Sequence, residues 1–203
     1  MQRMNIKKKE ELNILRKVYS ETKYKLVKEN ENPDFILSDI NNNYFGVEIT
    51  KYYDTPSSGR FNNIPNYTEK LLRSEFIHKQ DIGILKVGEI VIVDDKGNEI
   101  SEPDKGVYRE LPQSIERINT LKTIVSEKNN KCLQKYEKTM PIDLLIYDHG
   151  DLTAGANIQK TQILHYLRKQ EEANTLISPF RKIILLIEDS ENEIIKILLK
   201  NSL

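Results

Sequence analysis

Apolar positions recur along this chain at two different spacings. Between residues 7 and 28, Leu12, Ile14, Leu15, Val18, Tyr19 and Leu26 fall on one face of a helix. Asn32 and Pro33 end that pattern, because proline removes an N–H donor and pushes its predecessor toward extended geometry. The period then becomes that of strands. Residues 34–37 are short and apolar, 38–43 are polar and turn-forming, and 44–50 resume with aromatic and β-branched residues. The spacing predicts a β-hairpin.

From 54 to 66 the text changes to Thr, Pro, Ser, Gly and Asn, which predicts a long loop or flap. A second helix is expected over 67–79. A strand is expected over 89–93, with a tight turn at 94–99, so the stretch from about 54 to 105 reads as an inserted loop and hairpin. Pro112 and Ser114 open a long helical pattern that runs to Tyr136. Residues 142–147 form a continuous apolar run, 157–172 read as a helix, and 182–187 form another apolar run, so strand, helix and strand predict a parallel crossover. The tail at 193–199 is too uniformly apolar for its period to decide, and a final strand is favoured over a short helix. Together these elements predict one α/β domain with a mixed central β-sheet flanked by helices.

Composition narrows the class without choosing a function. A chain of 203 residues can bury a core without covalent staples, and one cysteine, Cys132, supports neither an internal disulfide nor a thiolate zinc cluster. A cytoplasmic location is the expectation. No apolar run approaches the ~20 residues that span a bilayer, so no membrane partner is expected. Thirty-one basic residues balance thirty-one acidic ones, so any nucleic-acid surface must be a local patch.

The candidate chemistry begins with Asp34 at the start of one strand and Glu48 near the end of its partner. Carboxylates brought together by paired strands can converge on a hard cation such as Mg²⁺ or Mn²⁺, which prefers oxygen ligands. Alternation puts Glu48 and Thr50 on one face of the strand and Ile49 and Lys51 on the other. Glu11 lies within the apolar stripe of the first helix, with Leu15, Val18 and Thr22 further along it. A carboxylate on a buried face needs a partner or a ligand, although a helix-dipole role for this first-turn acid is an equal alternative. Lys128 falls inside the buried stripe of the long helix, formed by Ile118, Leu121, Val125, Cys132 and Tyr136, and Lys131 lies at its margin. Such a lysine either extends its ammonium outward or meets acids. Asp148, His149 and Asp151 follow the 142–147 strand, where a polar turn is the simpler reading.

The run Asn32-Pro33-Asp34-Phe35-Ile36-Leu37, a turn, and then Gly46-Val47-Glu48-Ile49-Thr50 resembles the signature of PD-(D/E)xK nucleases. The resemblance covers the N-terminal quarter best and implies a restriction-endonuclease-like core. It also implies Mg²⁺ or Mn²⁺ held by Asp34, Glu48 and Glu11, with the backbone carbonyl of Ile49 as a further ligand. The implied activity is endonucleolytic hydrolysis of phosphodiester bonds in nucleic acid, DNA before RNA, with the cation acidifying the attacking water. The pattern departs at its lysine, where this chain has Thr50. Lys128 is the expected substitute, Thr50 can alternatively position water, and a catalytically inactive module that binds a protein or nucleic-acid partner is the competing reading. Arg60, Lys51 and Lys131 are the expected nucleic-acid contacts. Oligomeric state stays open, a homodimer included.

Overall fold

A computed structural model describes residues 6–53, 56–109, 114–136, 140–149, 161, 165, 178–188 and 194–200. The described residues form two compact units, one from residues 1–52 and 118–203, the other from 53–117. None of the described helices is long and apolar enough to cross a membrane.

The first unit is built on six strands: β1 (Lys25–Glu29), β2 (Phe35–Ser38), β3 (Tyr44–Tyr52), β6 (Ile142–His149), β7 (Lys182–Glu188) and β8 (Ile194–Lys200), hydrogen-bonded in the order β1-β2-β3-β6-β7-β8. The β3–β6 and β6–β7 pairs are parallel and the others antiparallel, so the sheet is mixed, as the pattern predicts. Helices α1 (Ile6–Val18) and α4 (Ser114–Lys135) pack on its opposite faces. Alternation along the central strands explains how both faces are served. Ile142, Leu144, Ile146, Ile183, Leu185 and Ile187 pack in a core with α4. Leu145, Tyr147, Ile184 and Leu186 pack in the other with α1. A strand covered on both faces needs apolar residues at nearly every position, which is why 144–147 and 183–187 read as unbroken apolar runs, Asp143 being a buried exception held by Arg181 and Tyr19.

Two expectations for this unit change. The first helix ends at Val18 rather than 28, and residues 25–29 form β1, which pairs with β2 around an irregularity between Leu26 and Lys28. Leu26, counted above as part of the helical stripe, is a half-buried strand residue on the α1 core, and Thr22 lies in the connecting turn. Pairing with β2 outweighs the weak helical periodicity of a lysine-rich segment. The tail is a strand, as favoured. The helix expected at 157–172 lies outside the described residues apart from Thr161 and His165.

The second unit holds α2 (Pro56–Asn63), α3 (Tyr67–Leu72), β4 (Lys86–Ile90) and β5 (Asp104–Tyr108) around a small core of Tyr67, Leu71 and Leu85. The loop expected at 54–66 is largely helical. Pro56 suits a first helical position, and Ser57 and Arg60 of that helix both bond to the buried Asp81. That anchoring overrides the turn-prone composition. The helix expected to reach 79 stops at Leu72, and Ser74 adopts a left-handed conformation (φ 57°). The turn at 94–99 forms as expected, with Asp94 accepting N–H bonds from Lys96 and Asn98 and with Gly97 at φ 84°. The ladder beneath it, however, lies at 86–90 rather than 89–93.

Candidate active site

The site forms where β2 falls short of β3. Their register starts at Phe35↔Val47, whereas β3 continues to Tyr52 and remains paired with β6. Among the described residues, no strand therefore lies beside the β2-side edge of β3 beyond Val47. Asp34 fills the gap, its Oδ2 accepting the Ile49 N–H at 2.8 Å. The N–H and C=O of one strand residue point to the same edge, so the Ile49 carbonyl faces this gap as well. Gly46 makes the approach possible. A Cβ there would lie 2.3 Å from Pro33 Cγ, so a side chain would push Pro33, and Asp34 with it, off β3.

Glu48 lies one residue along, on the α4 face, with 1% of its surface exposed. Its Oε1 accepts from both Lys128 (2.8 Å) and Lys131 (2.7 Å), one helical turn apart on α4. Its Oε2 is buried and has no hydrogen-bond partner. The Tyr136 hydroxyl lies close enough to help hold this carboxylate ionised, yet its oxygen is also buried without a partner in good geometry. From α1, Glu11 is buried, with Lys8 Nζ 3.0 Å from its Oε2 and Lys7 Nζ 3.6 Å from its Oε1. The Lys8 contact has ion-pair distance without hydrogen-bond geometry, leaving Glu11 Oε2 as another orphan. Lys8 also reaches Asp34 Oδ1 at 3.1 Å. One cleft of about 330 Å³ joins these groups, lined by Lys7, Lys8, Glu11, Glu31, Asp34, Glu48, Ile49, Lys128 and Lys131.

Electrostatics separate the two strand carboxylates. Burial and then the charge of Glu48 push the Asp34 pKa up, against the Ile49 N–H and Lys8. Burial also pushes Glu48 up, but its hydrogen bonds from Lys128 and Lys131 outweigh this and hold it below the usual range. Lys8 loses some solvation by burial, and Glu11 and Asp34 more than restore the preference for its charged form, raising its pKa. Neighbouring carboxyls driven in opposite directions are a pattern common to sites that do acid–base chemistry.

Of the residues singled out from sequence, Glu11, Asp34, Glu48, Ile49, Lys128 and Lys131 meet at this cleft. Lys131 binds Glu48 as closely as Lys128 does, so its assignment to the stripe's margin understated it. Thr50 shares the Glu48 face of β3 and is half-buried. Lys51 points to the other face, as alternation requires, and pairs with Glu10 Oε1 at 2.6 Å. Arg60, expected as a phosphate contact, has its guanidinium engaged by the buried Asp81 and by Gln80 within the second unit. Lys8 and Tyr136 were missed as site residues. The i,i+3 spacing of Lys8 and Glu11 was a usable signal, whereas the Tyr136 hydroxyl was hidden by its place in an apolar stripe.

The donor set suits a hard divalent cation: carboxylate oxygens, two of them buried without hydrogen bonds, and a backbone carbonyl on the same edge. Among the described residues, no three His, Cys, Asp or Glu side chains are gathered as a ready-made metal group. Mg²⁺ does not require one, since it commonly takes one or two carboxylates and keeps several waters. Comparisons with protein-family models, with curated proteins and with solved structures find no match to this chain.

Proposed function

We propose that this protein is a metal-dependent phosphodiesterase acting on nucleic acid, a PD-(D/E)xK-like endonuclease whose motif lysine is replaced by lysines from α4. The observation that carries the reading is convergence. Residues 11, 34, 48, 128 and 131, from two strands and two helices on opposite faces of the sheet, meet in one cleft, and Glu48 keeps a buried oxygen free of hydrogen bonds there. A buried polar atom without a partner is costly, and stability alone gives no reason to keep one.

Asp34 and Glu48 would hold Mg²⁺ or Mn²⁺, with Glu11 and the Ile49 carbonyl available to complete the oxygen set. Such a cation acidifies the attacking water and offsets charge that builds on the phosphate in the transition state. The chain's own groups do the rest. Lys128 and Lys131 keep Glu48 ionised, and their side chains, 22% and 29% exposed, are open enough to solvent to meet a phosphate oxygen. Thr50, on the same face, can orient water by hydrogen bonding. DNA is the first substrate to try, on the strength of the sequence resemblance, and cytoplasmic action accords with the single unpaired cysteine.

One observation favours a second reading, a catalytically inactive module that binds a protein or nucleic-acid partner: Glu11, Asp34 and Glu48 each already face an ammonium group. Calorimetric titration with Mn²⁺ separates the two. The nuclease reading expects one site in the wild type and its loss in Asp34→Asn. Identical isotherms for the two proteins favour the inactive module.

A further inference from the structure

We infer that Lys8 is a positioning residue of this cleft, a tethered counter-cation that occupies the seat between Glu11 and Asp34 and must leave it before a divalent cation can bind. The inference rests on the metal-site reading above and concerns how that site is loaded.

The geometry singles out Lys8 among the cleft's lysines. Its Nζ lies 3.0 Å from Glu11 Oε2 and 3.1 Å from Asp34 Oδ1, so one ammonium bridges carboxylates from a helix and from the start of a strand. The Nζ also lies 5.0 Å from the centroid of the buried Phe35 ring, a cation–π contact on a third side. Lys128 and Lys131 bind elsewhere, both on Oε1 of Glu48, and Lys8 is the lysine that reaches Glu11 and Asp34 together. Glu11 and Asp34 are only 9% and 13% exposed in their side chains, and two such carboxylates side by side repel unless a positive charge sits between them. Lys8 supplies that charge without a metal. Its own side chain is 22% exposed, so a path to solvent is open when another cation arrives.

A divalent ion at the same carboxylates and the Lys8 ammonium are like charges within a few ångströms, and they cannot share the seat. Loading is therefore an exchange. Lys7 provides the internal control: it is on the same helix, carries the same charge and lies 3.6 Å from Glu11 Oε1, but its side chain is 77% exposed.

The test is Mn²⁺ affinity by calorimetry for the wild-type chain, Lys8→Gln, Lys8→Arg and Lys7→Gln. Removing a competing charge at this distance should tighten Mn²⁺ binding by about tenfold or more in Lys8→Gln. The screened Lys7→Gln change should stay within about twofold. Lys8→Arg keeps the charge and should bind as the wild type does, and it remains informative if Lys8→Gln does not fold. Wild-type Mn²⁺ binding with equal effects of Lys8→Gln and Lys7→Gln, or with no change in Lys8→Gln, overturns the inference and leaves the metal site standing. A tightened site in Lys8→Arg overturns it in the same way. Absence of Mn²⁺ binding in every protein overturns both the metal site and the exchange.

Discussion

Each of the two compact units buries a carboxylate, and the two are treated differently. Asp81 in the second unit is fully buried, and both its oxygens are occupied: Arg60 grips them as a fork, Ser57 donates to Oδ1 and Tyr67 to Oδ2. Glu48 in the first unit is nearly as buried, yet two lysines crowd one oxygen while the other has no hydrogen bond. The first unit can satisfy a buried acid when only architecture is at stake. Asp143, on β6, takes a two-pronged contact from Arg181 and a hydrogen bond from Tyr19. A saturated acid holds parts of a fold together, whereas an acid left half-bonded beside a cleft is available to something that enters the cleft.

The two acids should therefore differ in how much stability their substitution costs. Asp81→Ala strands a half-buried guanidinium and two buried hydroxyls, and should cost about 3–5 kcal/mol in denaturant unfolding. The cause also has a pH signature. Bonds from Arg60, working against burial, hold the Asp81 pKa well below the usual aspartate range. Its contribution is therefore complete at neutral pH and is lost as pH falls, so the gap between wild type and Asp81→Ala should narrow below about pH 5. Glu48→Gln should cost much less, within about 1 kcal/mol, because Lys128 and Lys131 can turn their ammonium groups to water. A loss from Glu48→Gln as large as that from Asp81→Ala would erase the comparison.

Much of this could be read from the residues, and the limits have physical causes. The two-faced burial of β6 and β7 was visible as unbroken apolar runs, and Glu11 and Lys128 as charges on buried stripes, because periodicity reports which face a residue takes. Periodicity does not report partners. Helix α2 was hidden because the groups that stabilise it, Ser57 and Arg60, act through Asp81 some twenty residues away. Strand β1 was hidden because an edge strand bearing Lys25 and Lys28 has little alternation of its own and is made by β2. The same limit hid the engagement of Arg60 with Asp81, although its charge was legible, and overlooked Lys8, whose second partner, Asp34, is 26 residues away.

The central claim is that the half-bonded acid serves chemistry. Its most direct test is hydrolysis of supercoiled plasmid and of end-labelled RNA in Mg²⁺ or Mn²⁺ by the wild-type chain, Glu48→Ala and Asp34→Asn. Cleavage of at least one substrate should depend on the divalent ion and fall by about a hundredfold or more in either variant. Wild-type cleavage that persists in Glu48→Ala, or no cleavage of either substrate by the wild type, would contradict it.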